Sequence, residues 1–377
     1  MVEIFFIGSI FMTFFAYFGY PFSLYLLSIF RRKVVKKANF FPRVTMIITA
    51  HNEEKRIKDK LDNTLVLEYP GEKLQILVAS DGSTDQTNAI VKDYEKKGIE
   101  LLAIGERRGK EKAQKEAVKR ANGEVIIFTD VATHLGPVGL KEIIFNFADP
   151  SVGCVSSEDR LVGKDGNPSG EGFYVRYEMW LRRLESKVNS LVGLSGSFFA
   201  ARKEVCQGFS GKMQSDFRTL LSSIKMGLRG ISDPQAIGYY ADVSNEKQEF
   251  DRKVRTVVRG LTVFFRHLEF LNMFRYGFFS YQFFCHKLLR WLVPFFLCIA
   301  LVSNLILAVN SYLFLILLFG QLIFYGLAFW GWKHQSGASK IFVKIPMYFL
   351  IVNASIFVAW WRYLRGQRLV MWTPSER

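Results

Sequence analysis

The chain has 377 residues, of which half are hydrophobic and 36 are Phe, and its formal charge is +16. So much apolar surface argues against a purely soluble protein, and the four cysteines (Cys154, Cys206, Cys285, Cys298) lack the paired spacing of a disulfide framework or a zinc site. The basic residues are spread along the chain with no aromatic-basic RNA motif, so nucleic acid is set aside in favour of anionic lipid and a phosphorylated substrate.

From the N-terminus, Ile4 to Phe30 is almost entirely apolar and meets the length of a membrane span. It has no basic residue before it and is too long for the core of a cleavable signal peptide. RRKVVKK (Arg31 to Lys37) follows at once, so the positive-inside rule predicts Met1 outside and residues 31–290 in the cytoplasm.

Residues 44–240 then alternate in character. VTMIIT (44–49) reads as a strand, EEKRIKDKLDNTLVL (53–67) has helical spacing, and QILVAS (75–80) is a strand. A helix is expected over 84–97, with Ser83 and Gln86 spaced as a capping box. IELLAI (99–104) is a strand, KEKAQKEAVKRA (110–121) an amphipathic helix, and EVIIFT (124–129) a strand ending at Asp130. The alternation predicts an α/β fold, with a parallel-rich, Rossmann-like sheet and helices on both faces.

Ligands bind at the carboxyl ends of the strands of such a sheet. That edge receives Ala50-His51-Asn52-Glu53, Asp81-Gly82-Ser83 and Asp130. GERRGK (105–110) is one residue short of a P-loop and lacks the Ser or Thr, and there is no G-x-G-x-x-G, so a nucleotide is held by other means. Asp81 either accepts hydrogen bonds from a base or ribose, or simply builds a turn. Asp130 either binds Mg²⁺ or Mn²⁺ bridging a diphosphate, or is a turn aspartate; Ala132 stands where a second carboxylate would strengthen the metal reading. Asp216, opening SDFRTLLSSIKMG, is a helix cap or a general base, and spacing alone does not choose.

Beyond the sheet, residues 262–286 mix aromatics with Arg266, His267, Glu269 and Arg275 and read as an interfacial amphipathic segment. Trp291 to Val309 and Tyr312 to Trp332 are uncharged spans, whereas Ile341 to Trp361 is weaker, with Lys344 and Pro346 near its start. The expected domains are therefore 1–30, an N-terminal transmembrane helix; 31–245, cytoplasmic; 246–286, interfacial helices; and 287–377, C-terminal transmembrane helices and tail. Three spans after a cytoplasmic domain leave the C-terminus outside, yet the four arginines of 362–377 favour inside, so the third run is expected to be re-entrant or miscounted.

Taken together, ITAHNEE (48–54) with ASDGSTDQT (79–87), RRGKEKAQKEAVKRANGEVIIFTD (107–130), GLSGSFFAARKEV (193–205) and SDF (215–217) followed by KMGLRG resemble the membrane-anchored bacterial family 2 inverting glycosyltransferases of GT-A fold. The resemblance runs over about the whole chain. It implies that Ala50, Asn52 and Glu53 line the uridine site, that Asp81 binds the base, and that Lys110 lies near the nucleotide. It also implies that Asp130 is the first carboxylate of a metal-binding Asp-x-Asp whose partner is missing at Ala132. Gly193, Ser195 and Gly196 match the acceptor-side glycine turn. Asp216 matches the second acid of the Glu-Asp pair and is the expected base, with Ser215 in place of the first acid. The processive synthases of the family carry Gln-x-x-Arg-Trp; here Gln248 and Arg252 are one residue too far apart and no Trp follows. Arg252, Lys253 and Arg255 are candidates to neutralise a diphosphate, or form a solvated basic helix face beside anionic lipid.

The expected function is thus transfer of a sugar from a nucleotide sugar, a UDP-sugar, with inversion, onto a polysaccharide or lipid-linked acceptor at the cytoplasmic face of the bacterial inner membrane, assisted by Mg²⁺ or Mn²⁺. The rivals are a nucleotidyltransferase, which would want a Gly-rich phosphate loop near the first strand, and a catalytically inactive membrane scaffold or partner subunit.

Overall fold

The computed structural model describes residues 1–162, 173–209, 211, 213–241, 246–334 and 340–368. Trp372 and Arg377, which the family resemblance implies to sit near the cytoplasmic face, lie outside them. In chain order the principal helices are α1 (Val2–Phe30), α2 (Ile57–Leu65), α3 (Thr87–Asp93), α4 (Lys110–Arg120), α5 (Gly139–Phe145), α6 (Phe173–Val188), α7 (Ser215–Lys225), α8 (Glu246–Phe265), α9 (Phe278–Ala308), α10 (Tyr312–Lys333) and α11 (Ile341–Leu364). The strands are β1 (Val44–Ala50), β2 (Leu74–Asp81), β3 (Ile99–Ile104), β4 (Val125–Asp130), β5 (His134–Leu135), β6 (Val152–Val162), β7 (Phe198–Arg202) and β8 (Arg229–Ala241). The chain divides into two compact units, a helical one of residues 1–23 and 245–368 and a sheet domain of residues 24–244.

The sheet domain holds one eight-stranded sheet in the order β3-β2-β1-β4-β7-β6-β8-β5. Its first half is parallel: β1 lies between β2 and β4, and β2 pairs β3. Every residue of β1 is buried, as a central parallel strand covered on both faces requires. Alternation then sorts the side chains. Met46, Ile48, Val78 and Ile127 face one way, onto Ile57 and Leu61 of α2 and Ile143 and Ile144 of α5. Ile47, Leu77, Ile126 and Phe128 face the other, onto Ala113 and Ala117 of α4. The expected Rossmann-like half is present. The second half departs from it: β7 runs antiparallel to both β4 and β6, β6 and β8 pair in parallel with bulges, and β5 closes the edge antiparallel to β8.

One local expectation fails. The helix expected over 84–97 is shorter, and no capping box forms. Ser83 Oγ instead meets Ser80 Oγ and accepts from the Asn52 N–H, while the Asp85 carboxylate accepts from the N–H and hydroxyl of Thr87. The polar run is used to join two loops rather than to begin a helix.

The helical unit contains most of α1 together with α8 to α11. Four helices, Val2–Phe30, Phe278–Ala308, Tyr312–Lys333 and Ile341–Leu364, are long and apolar enough to cross a membrane. Their outer faces show large apolar side chains, such as Phe18 (62% exposed), Phe319 (65%) and Phe342 (70%), the reverse of a water-facing helix. Here the expected boundary moves. Residues 278–286 belong to the long helix, since a π turn at Phe284–Leu289 keeps it continuous through to Ala308. The stretch before it comprises α8, a 3₁₀ turn at Leu268–Leu271 and a single helical turn at Met273–Tyr276. The run with Lys344 and Pro346 is one uninterrupted helix, because the proline falls in its second turn, where few intrahelical bonds are lost.

Candidate active site

The carboxyl edge of the parallel half is assembled by loop-to-loop hydrogen bonds. After Ala50, the last residue of β1, the chain reverses at Asn52 with φ of 51°. Asparagine tolerates that left-handed conformation when its side chain is anchored, and here Asn52 Oδ1 accepts from the Thr84 N–H at 2.9 Å. The Glu53 N–H donates to Thr87 Oγ1 and the Glu54 N–H to Asp85, so residues 52–54 and 83–87 form one layer. Glu53 is buried and forked by Arg56 at 2.8 and 2.9 Å. Burial raises its carboxyl pKa above the usual range, with Arg56 pulling the other way.

Asp81 closes β2, only 1% exposed. Its two oxygens accept the backbone N–H groups of Arg108 and Gly109, each at 2.7 Å. It therefore fixes the loop that delivers Lys110. The adjoining Gly82 has φ of +61°, and a Cβ there would lie 2.4 Å from the Arg107 backbone N. Only glycine allows the two loops to approach so closely.

Lys110, at the start of α4, points across the edge. Its ammonium donates to Asp130 Oδ1 at 2.5 Å and to the carbonyl of Gly196 at 3.1 Å. Asp130 is in turn tied to the glycine turn, its N–H donating to the Ser197 carbonyl. On the far side of that turn lies Asp216, in the first turn of α7 and 8% exposed. A Cβ on Gly196 would sit 2.9 Å from Asp216 Oδ2. The carboxylate is oriented by the Phe217 N–H on Oδ1 at 2.7 Å and by the Gln214 amide on Oδ2 at 3.0 Å. Gln214, not Ser215 or Asp216, precedes the helix as its cap residue.

The structure thus brings Ala50, Asn52, Glu53, Asp81, Lys110, Asp130, Gly193, Ser195, Gly196 and Asp216 into the sheet domain, with Lys110, Asp130 and Asp216 meeting around Gly196. Arg252, Lys253 and Arg255 belong to the helical unit, on α8.

Two participants were not foreseen. Asp159, in the second half of β6, accepts from Ser195 Oγ at 2.7 Å and from Ser197 Oγ at 3.0 Å, and so clamps the glycine turn. Lys60 is fully buried, donating to Thr129 Oγ1 at 3.0 Å and to the Thr133 carbonyl at 2.5 Å, beneath Asp130. Burial pushes its pKa down to about 7, with the nearby Asp130 charge opposing. The sequence held a signal for Lys60: Ile57, Lys60, Leu61 and Thr64 share one helical stripe, and all four are buried. Asp159 lies in no motif.

A divalent cation fits this edge only in part. Among the described residues no group of three His, Cys, Asp or Glu is placed to hold one, and Ala132 leaves Asp130 without a carboxylate partner. Magnesium-type ions nevertheless bind through one or two carboxylates when substrate phosphates complete the shell, and Asp130 offers one, with its side chain 24% exposed.

The profile of Glycosyl transferase family 2 matches residues 45–207. A poly-beta-1,6-N-acetyl-D-glucosamine synthase of Staphylococcus aureus (strain COL) is 31% identical over 123 residues, 32% of this chain and 29% of that protein. The protein of the same name from Staphylococcus epidermidis is 27% identical over 165 residues, 42% of this chain and 39% of that one. The matches therefore span well under half the length of these relatives. Among solved structures, the mannosyltransferase PcManGT from Pyrobaculum calidifontis, in complex with GDP-Man and Mn²⁺, superposes with a TM-score of 0.76 at 22% identity, over 97% of this chain and 100% of that one. That likeness establishes the fold. Residues 45–207 thus match the model of Glycosyl transferase family 2, and the fold is GT-A-like.

Proposed function

We propose that this domain transfers a hexosyl or N-acetylhexosaminyl group from a nucleotide sugar, a UDP-sugar, with inversion, onto a polysaccharide or lipid-linked acceptor at the cytoplasmic face of the inner membrane. The observation that carries the reading is the convergence on Gly196: the Asp216 carboxylate abuts one side of it, and the Lys110 ammonium holds its carbonyl and Asp130 on the other. A base and a cation across a narrow glycine turn suit a single displacement between acceptor and donor.

Asp216 takes the proton of the acceptor hydroxyl as its oxygen attacks the anomeric carbon. The bond from that carbon to the diphosphate oxygen breaks, and the electron pair leaves with the nucleoside diphosphate. Lys110 stands where it can meet the departing charge, and the loop pinned by Asp81 carries Arg107 and Arg108 beside it. Asp130 would hold a Mg²⁺ or Mn²⁺ ion, which when bound supplies counter-charge to the diphosphate. The names of the synthase relatives support a polysaccharide acceptor and an N-acetylhexosamine donor; the GDP-Man of PcManGT makes GDP-mannose the comparison donor.

Asp216→Asn separates base from binding. The expected result is a loss of transfer of at least about 10²-fold with donor affinity, followed by nucleotide-sugar titration, unchanged. Near-normal turnover in the variant would remove Asp216 from the role of base.

A further inference from the structure

The four long apolar helices invite a picture of four alternating crossings, but the side-chain contacts within the helical unit do not form that ladder. Helix α1 runs antiparallel to α9. Ala16 packs against Leu289 and Val293, the Arg290 guanidinium lies 5.3 Å from the Tyr17 ring centre, and Ser23 Oγ meets the Tyr281 hydroxyl at 2.7 Å. At the opposite end, Phe6 is edge-on to Phe314 at 5.5 Å, and the Asn304 and Gln321 amides meet at 3.2 Å. The bundle thus has a Tyr281–Trp291 end and a Phe6–Phe314 end, and α10 starts at the latter.

Four alternating crossings would leave the last turn of α11 beside Phe6. It lies at the other end. Trp360 Nε1 donates to the Trp291 carbonyl at 2.8 Å, and its ring is edge-on to Phe295 at 5.8 Å. Phe265, the last residue of α8, stacks on Tyr363 at 5.5 Å and packs edge-on against Trp360 at 5.7 Å. Arg362 reaches Asp251 of α8 at 4.0 Å. From Tyr312 to Leu364 the chain therefore makes one net passage, not two, and the three passages of α1, α9 and the α10–α11 pair are odd in number.

The two ends also differ in charge. Around Phe6 and Phe314, the segments 1–7 and 308–314 contain one charged side chain, Glu3. The other end presents Arg266, Arg275, Lys287, Arg362, Arg365 and Arg368. Beside Arg266 and Arg275, the turn at Leu268–Tyr276 exposes Met273 (62%) and Phe274 (105%). Cations flanking outward-facing apolar side chains are the pattern of a segment lying at a lipid headgroup boundary, and anionic headgroups on the cytoplasmic leaflet attract such a segment. α9 is also long for one crossing: its 31 residues extend about 46 Å against a hydrocarbon core of roughly 30 Å. Its first turns, with His286, Lys287 and Arg290, thereby have room in the headgroup layer.

We infer that the Tyr281–Trp291 end of the helical unit faces the anionic cytoplasmic leaflet, and that α10 and α11 together return the chain to that side. The arginine-bearing end of α11 and the start of the long helix α9 then share one membrane interface. The inference is independent of the sugar transferred or of Asp216 acting as base.

Single-cysteine labelling tests it. The full-length protein is expressed in bacterial cells with Cys298→Ser as background, the other three cysteines being buried. Asn310→Cys reports the Phe6–Phe314 end and Gln367→Cys the end of α11; both positions are exposed. A membrane-impermeant maleimide is expected to label Asn310→Cys in intact cells, and Gln367→Cys only after permeabilisation. Labelling of Gln367→Cys in intact cells overturns the inference, and so does protection of both.

Discussion

Gly196 separates the Asp216 carboxylate from the Lys110 ammonium by the width of one backbone, and the space beside it is already taken. A methyl group there would meet Asp216 Oδ2 at 2.9 Å, so the carboxylate or the turn must shift. The expected outcome for Gly196→Ala is a fall in kcat of roughly 10-fold to 10²-fold, since misplacement of a catalytic group by about 1 Å costs that much. Steady-state kinetics decide: an unchanged kcat would mean that Asp216 is not held against this turn during the reaction. Asp81, Asp130 and Asp216 were legible as candidates because each follows a strand end or opens a helix, where a single letter stands out. Asp159 was not. Its partners Ser195 and Ser197 come 36 and 38 residues later, and no short-range pattern links them.

At the level of elements, the core of α2 shows how a periodic stripe places an unexpected group. Burying Lys60 with two oxygen acceptors holds a lysine below Asp130, on the stripe that it shares with Ile57, Leu61 and Thr64. Its pKa in the folded chain is about 7, against 10.5 for the free side chain. Between these values the unfolded chain binds a proton that the folded chain resists. Stability therefore rises with pH across that window, by at most about 1.4 kcal/mol per pH unit from this one group. Thermal unfolding of detergent-solubilised protein from pH 7 to 9 should show a midpoint that climbs in the parent and climbs less in Lys60→Met. Equal slopes would show that Lys60 is not held neutral. The strands of the parallel half and α4 matched their sequence patterns closely, since a fully apolar run and a 3.6-residue period are local signals. The segment after Asp81 did not, because its Ser, Thr and Asp side chains bond to the loop after β1 and leave the helix to start at Thr87.

For the whole molecule, the switch from parallel to antiparallel strands after β4 was invisible in the sequence. Its register depends on β6 and β8, which pair Val152 with Arg229 across a long separation and with bulges. Hydropathy found the four apolar segments but not their order in space. That order comes from aromatic contacts such as Trp360 on Phe265 and Phe295, and it accounts for the arginines after α11 that a four-crossing count would place on the wrong side.

The most direct test of the account is nucleotide release by the full-length protein in detergent. UDP-sugars, with GDP-mannose and dTDP-sugars as comparison donors, are supplied with Mg²⁺, Mn²⁺ or EDTA, with and without membrane lipid extract. The expected result is release of UDP from one UDP-sugar, stimulated by a divalent ion and abolished by Asp216→Asn. A folded protein that releases no nucleotide from any donor under any of these conditions would contradict it.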